Sequence, residues 1–228
     1  MSLSRTLVLF DIDGTLLRGA GHHHREALID GIREITGLST SLDGIATSGM
    51  LDRDLISLML QAAGHSDGRI RRGMRRIVES CQNAYCANCA SDLRQFVCPG
   101  VPEVLYELRE RGAVLGLVTG NLSRIAWRKM ELAGLREYFS IGAFAEDGTT
   151  RARLARIAAN RAIKAGLTIR TPRISLVGDH PNDIKAARAN EFYAVAVGTG
   201  VVEWRDLEAS APDVLVRSLR ELQIESLF

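Results

Sequence analysis

The stretch Leu9-Phe10-Asp11-Ile12-Asp13-Gly14-Thr15-Leu16-Leu17 (LFDIDGTLL) decides how the rest of the chain is read. With the preceding Thr6-Leu7-Val8 it makes a short, β-rich apolar run that ends in two carboxylates and a Gly-Thr turn. A continuous apolar run of this kind suits a strand buried in a parallel sheet. Residues two apart on an extended chain point to one face, so Asp11 and Asp13 are expected to aim at one spot. Two such charges about 4 Å apart repel by about 4 kcal/mol at an effective dielectric of about 20. A bound cation would relieve that repulsion.

Similar runs recur at Val114–Val118, Ile141–Ala145, Ile174–Val177 and Tyr193–Val197, with a weaker one at Asp213–Val216. Helical periodicity separates them at about Leu122–Ala133, Arg153–Ala165 and Asn182–Ala189. Strands alternating with helices of this length predict an α/β fold with a doubly wound parallel sheet. The alternation fails between Leu17 and Val97. There only helical patterns occur, near Arg25–Thr36, Arg53–Ala63 and Arg69–Ala90, before Pro99-Gly100-Val101-Pro102 punctuates the return. The segment reads as an all-helical insertion, giving residues 1–17 and 98–228 as the core and 18–97 as a second, smaller domain.

Composition narrows the function. The chain has 228 residues, is 46% hydrophobic and 25% charged, and carries a net charge of +2. That is an ordinary globular balance, and it offers no general argument for a nucleic-acid or membrane partner. No apolar stretch approaches the roughly 18–20 residues needed to span a bilayer. The first apolar run is cut short by Asp11 and lacks a cleavage site, so a cytoplasmic location is expected. Cys81, Cys86, Cys89 and Cys98 are spaced loosely like an iron–sulfur pattern. Ala84, Ala87 and Ala90 keep the stretch helical, which favours reduced thiols on a helix crossing the core.

Ligands of such sheets bind beyond the carboxyl ends of the strands. The strand ending at Val118 runs into Thr119-Gly120-Asn121 before a helix, offering a hydroxyl and free amides for an anion. The strand ending at Val177 runs into Gly178-Asp179-His180-Pro181-Asn182-Asp183, with Pro181 fitting the first turn of a helix. Four carboxylates and an anion site at one edge suit Mg²⁺ shared with a phosphorylated substrate.

D-x-D-G-T after the first strand, a strand ending in Thr119 and G-D-x-x-x-D after a later strand together resemble the haloacid dehalogenase superfamily. The helical insertion looks like the cap of its phosphoglycolate phosphatase and phosphoglucomutase branch. The resemblance implies a Rossmann-like core, a Mg²⁺ cofactor, and a phosphatase acting on a small phosphorylated metabolite through an aspartyl-phosphate. Asp11 would be the nucleophile. Asp13 would protonate the leaving oxygen and then activate water. Mg²⁺ would be held by the Asp11 side chain, the Asp13 carbonyl and Asp179, with Asp183 in support. Thr119, with Gly120 and Asn121, would hold the phosphoryl oxygens. A mutase that passes the phosphoryl group to a sugar, or a binding protein with little turnover, is the alternative.

The family also places a cation, most often lysine, on the phosphoryl group. No lysine occurs between Met130 and Ile163, and Lys164 falls roughly 20 Å along its helix at about 1.5 Å per residue. Arg151 and Arg153 lie nearer, and Arg151 is favoured because it is closer to the loop. In the cap, Gly49 and Asp52 stand where related enzymes carry a substrate-reading loop, although Asp52 also reads as a helix N-cap. His22-His23-His24 reads as a solvated linker, with substrate contact next and metal binding after that. Arg69, Arg71, Arg72, Arg75 and Arg76 read as a wet helix face. Whether the chain is a monomer or dimer is open.

Overall fold

The computed structural model describes residues 4–228. The opening run forms β1 (Ser4–Phe10), followed by β2 (Val114–Val118), β3 (Ile141–Ala143), β4 (Thr168–Gly178), β5 (Tyr193–Val197) and β6 (Val214–Val216). All neighbours pair in parallel, in the order β3-β2-β1-β4-β5-β6. The chain lays β2 and β3 on one side of β1, then returns to lay β4 to β6 on the other. The reversal opens a crevice beyond the carboxyl end of β1, where LFDIDGTLL stops being sheet.

Period-2 alternation divides β1 between two apolar layers. Leu7 and Leu9 pack with Leu154, Ala155 and Ala158 of α6 (Arg151–Lys164) and with Ile184 of α7 (Pro181–Arg188). Val8 and Phe10 pack with Val104, Leu105 and Leu108 of α4 (Val101–Glu110) and with Met130 of α5 (Ser123–Leu132). Each fully buried side chain of this size contributes about 1.5–3 kcal/mol, so the strand is fixed from both faces.

The insertion forms α1 (His22–Thr36), α2 (Asp52–Ala62) and α3 (Asp67–Asn88). Leu28 and Ile32 of α1 meet Ile56 and Met59 of α2 and Ile77, Cys81 and Tyr85 of α3 in a buried cluster. Its two crossings to the sheet domain run side by side. Arg18 N–H donates to Phe96 O at 2.8 Å, Cys98 N–H donates to Leu16 O at 2.9 Å, and Leu17 bridges Val97.

Several boundaries differ from the sequence reading. β4 extends back to Thr168, and β3 stops at Ala143. Two helices went unpredicted, α4 and α8 (Trp204–Ala209). In α4 the Pro-Gly-Val-Pro punctuation is itself the helix start: Gly100 is the N-cap, and Pro102 sits in the first turn, where its missing N–H is harmless. Cys81 and Cys86 lie on α3, but Cys89 caps that helix and Cys98 sits at the return crossing, so the four thiols share no one helix. Burial pushes the Cys81 thiol up to about 12 and that of Cys98 to about 11. The five arginines from Arg69 to Arg76 are exposed on α3. No helix among the described residues is long and apolar enough to cross a membrane.

Candidate active site

Pairing continues one residue past β1, where Asp11 N–H donates to Val177 O at 3.0 Å, and then the chain turns. Leu16 and Leu17 N–H both donate to Ile12 O, and Gly14 adopts φ +92°. A Cβ on Gly14 would lie 2.1 Å from Asp179 Oδ2, so only glycine lets these two strand ends approach. Because the extended conformation ends here, Asp11 and Asp13 do not converge as expected. Their carboxylates line the same cleft but take different partners.

Asp11 is buried and accepts Arg151 Nη1 at 2.8 Å. Its carboxylate lies within 4.8 Å of those of Asp179 and Asp183. Asp179 accepts Thr15 Oγ1 at 3.2 Å. Asp183 Oδ2 accepts the His180 N–H at 3.2 Å, while His180 Nδ1 accepts the Asn182 N–H at 3.1 Å, a reciprocal cap on α7. Asp183 therefore does serve its helix start, yet its other oxygen is unsatisfied. Oδ1 lies 3.3 Å from Arg151 Nε in poor alignment, and both atoms are buried without a hydrogen bond.

Burial and the charge of Asp11 hold the Asp179 carboxyl well above the usual carboxylate range. Burial does the same to Asp183, opposed by Arg151. Arg151 itself keeps its charge because Asp11 and Asp183 outweigh the penalty of burial. One arginine thus faces three clustered acids. The surplus negative charge, the hard oxygen donors and the orphaned Asp183 Oδ1 together fit a small divalent cation such as Mg²⁺. The Asp13 carboxylate stands outside this trio.

Asp13 is half-buried and held by Lys129 Nζ, at 2.8 Å and 2.7 Å to its two oxygens, and by Asn121 Nδ2 at 2.8 Å. Burial pulls its carboxyl upward, but Lys129 outweighs that and keeps it below the usual range. Lys129 lies on α5 and is fully buried. Its ammonium also meets Asn121 Oδ1 at 2.7 Å and His24 Nδ1 at 3.2 Å. An ammonium has no lone pair, so His24 Nδ1 must accept, leaving the ring proton on Nε2. That nitrogen lies 2.9 Å from Asp52 Oδ2.

Neither Lys129 nor His24 was assigned this place from sequence. The histidine tract is the first turn of α1 rather than a linker, with His24 facing inward. Asp52 is the first residue of α2, not its N-cap.

The second strand end also departs from expectation. Thr119 is buried at the cleft, and its Oγ1 accepts the Asn121 N–H at 3.3 Å. The amides at the start of α5 are not free, because side chains distant in sequence claim them. Asp52 accepts from Leu122 N–H at 2.8 Å, Glu146 from Ser123 N–H at 3.0 Å, and Gln82 from Arg124 N–H at 2.8 Å. Two of these groups come from the inserted helices, so the positive end of α5 is where the cap docks. Gly120 sits in the same contact. Its carbonyl accepts the Asp52 N–H at 2.8 Å, and a Cβ on it would lie 2.2 Å from Met50 O. Gly120→Ala should therefore wedge the cap outward. We expect a stability loss of about 1–3 kcal/mol, read by thermal denaturation.

Gly49 packs against the His180 ring, and its carbonyl accepts Asn182 Nδ2 at 3.1 Å. The cleft measures about 410 Å³ and is lined by Asp11, Asp13, Thr119, Gly120, Asn121, Arg151 and Asp179, with Gly49 and Asp52 from the cap. Arg153 is exposed, and its backbone N–H donates to the Thr150 side chain that caps α6. Asp183 lies behind the cleft wall.

The profile of the haloacid dehalogenase-like hydrolases matches residues 6–190. A phosphoglycolate phosphatase from Synechococcus elongatus is 25% identical over 223 residues, covering 94% of both chains. One from Chromobacterium violaceum is 28% identical over 221 residues, covering 94% of this chain and 93% of its own. Among solved structures, a β-phosphoglucomutase from Clostridium difficile superimposes with a TM-score of 0.71 at 17% identity, covering 98% of this chain and 95% of its own. Matching in profile across both sheet halves and the cap, the chain belongs to the haloacid dehalogenase-like hydrolases.

Proposed function

We propose that the chain is a Mg²⁺-dependent phosphatase that hydrolyses a small phosphomonoester through an aspartyl-phosphate on Asp11. The observation that carries this reading is the unequal setting of the two acids on one cleft. Asp11 is dry and flanked by a guanidinium and two further carboxylates, whereas Asp13 is half-exposed beside its own ammonium. The full-length likeness to two phosphoglycolate phosphatases supports the same reaction class. A cleft of about 410 Å³ suits a small metabolite. We read residues 1–17 and 98–228 as the catalytic domain and 18–97 as the cap.

In this mechanism an Asp11 oxygen attacks phosphorus in line with the leaving oxygen. Arg151, already 2.8 Å from Asp11, holds the equatorial phosphoryl oxygens as charge spreads over them. Thr119 Oγ1 and the Gly120 N–H orient the same group. Asp13, a carboxylate in the resting cleft, takes the proton carried by the phosphomonoester monoanion, passes it to the departing oxygen, and later takes one from the water that cleaves the aspartyl-phosphate. Asp11, Asp179 and Asp183, with the Asp13 carbonyl, would hold Mg²⁺, which supplies charge neutralisation for a dianionic phosphate. The cap closes the cleft and limits bulk water.

The test is phosphate release from a panel of small phosphomonoesters, 2-phosphoglycolate among them, with Mg²⁺ present. Turnover on at least one is expected, and no release from any would reject the reading. Accumulation of a sugar bisphosphate instead of free phosphate would identify a mutase.

Mg²⁺ should also change stability in a pH-dependent way. A carboxyl whose folded value is raised favours folding at low pH and loses that advantage as pH rises through it. Asp179 and Asp183 are both raised, so the metal-free protein should weaken from about pH 4 through neutrality. Mg²⁺ at about 100 times its dissociation constant adds about 2.7 kcal/mol. The thermal shift it produces should be larger at pH 8 than at pH 5.5, and an equal shift at both would count against these ligands.

A further inference from the structure

We propose that Lys129 is a positioning residue for Asp13, and that His24 and Asp52 of the cap complete the cage that holds it. The inference rests on Asp13 managing protons in the reaction above. Lys129 does not line the cleft, so it acts through its neighbour and not on substrate. All three of its N–H donors have acceptors, in Asp13, Asn121 and His24. A buried, fully paired ammonium has one geometry, and it fixes one rotamer for the acid it grips.

The cage is closed from the cap side. His24 can accept from Lys129 only with its proton on Nε2, and Asp52 Oδ2 sits 2.9 Å from that atom. The same Asp52 oxygen accepts the Leu122 N–H at the start of α5. Asp13, Lys129, His24, Asp52 and the first turn of α5 therefore form a continuous polar chain that returns to the helix carrying the lysine. Asn121 stiffens it by giving Nδ2 to Asp13 and taking Lys129 on Oδ1. Without Lys129 the Asp13 carboxylate keeps water and Asn121, but loses the donor that sets its direction toward the leaving oxygen.

Lys129→Met tests this, because methionine matches the buried length and Asp13 is exposed enough not to be stranded. First-turnover rates should be compared on two substrates, which excludes the later hydrolysis of the aspartyl-phosphate. 2-Phosphoglycolate has an alkoxide-like leaving oxygen that needs a proton, whereas 2,4-dinitrophenyl phosphate expels a stable phenolate that needs none. The expected result is a loss on the order of 10²-fold for the first and under about threefold for the second, with little change in KM. Asp13→Asn serves as the reference, and adding Lys129→Met to it should cost nothing further.

Equal losses on both substrates, or none on either, would overturn the proposal while leaving Asp13 in its role, provided Asp13→Asn shows the split. If Asp13→Asn shows no split, the reading of Asp13 fails and the proposal falls with it. Should Lys129→Met not fold, Lys129→Leu, which likewise offers no donor, is put through the same comparison and decides by the same criteria.

Discussion

Asp11→Asn leaves a folded protein whose phosphate release falls by more than about 10⁴-fold, equivalent to about 5.5 kcal/mol of barrier. An amide of the same shape cannot form the acyl phosphate, so the loss should appear in the chemical step on every substrate. Stability should move the other way. Asp11 is one of three carboxylates within 4.8 Å around a single guanidinium. Removing its charge relieves Asp179 and Asp183, whose carboxyls it helps to hold up. The thermal midpoint without Mg²⁺ is expected to hold or rise, and the gain on adding Mg²⁺ to shrink. Phosphate release measured beside melting curves checks both halves. Wild-type turnover in the variant would sink the nucleophile assignment outright.

Arg151→Met is expected to damage both properties together. The side chain is buried between Asp11 and Asp183, and its Nη1 also donates to Val118 O at 3.2 Å. Breaking a buried pair by removing one partner costs about 3–5 kcal/mol, because the other charge is left uncompensated. In the proposed mechanism the cation that faces the phosphoryl group is lost as well, and such groups are worth about 10³-fold or more in phosphoryl transfer. Mg²⁺ should restore much of the stability, by neutralising the same carboxylates, but little of the rate. Melting curves with and without Mg²⁺ separate the two effects. Turnover within about tenfold of wild type would move the phosphoryl-binding role to another side chain.

The sheet was readable because β1, β2, β5 and the end of β4 are apolar runs buried on both faces, and Asp11, Gly178 and Gly198 punctuate three of them. The three strand-end motifs were readable for the same reason, since strand ends are where a parallel sheet must place its ligands. The resemblance asked for a cation and loop position favoured Arg151, which does line the cleft beside Asp11. What sequence hid depended on contacts across the two domains. Lys129 drew no assignment from sequence, yet it falls four residues after Ile125 and three after Ala126, on the buried face of α5. Lysine occurs in this chain only at 129, 164 and 185, and that scarcity beside so many arginines was a usable signal. His24 was masked by its two solvent-facing neighbours. The amides of α5 looked free because their acceptors, Asp52, Gln82 and Glu146, lie far off in sequence. The convergence of Asp11 and Asp13 failed because the strand's two-residue period ends at Phe10.

The paired crossings at Leu17 and Val97 make the helical insertion a cassette. Its two ends leave the sheet domain as neighbours, so a different insertion could be spliced in, or a short turn put in its place, with no strain on β1. Yet the cassette is not chemically inert. It carries an acid and an amide that terminate α5, and a histidine that braces the lysine behind the catalytic cleft. Any replacement that offers only a new recognition surface would leave a bare helix terminus and an unbraced ammonium at the heart of the enzyme. Exchange of this cap is therefore constrained by three side chains through the core groups they hold, apart from anything they recognise in the cleft.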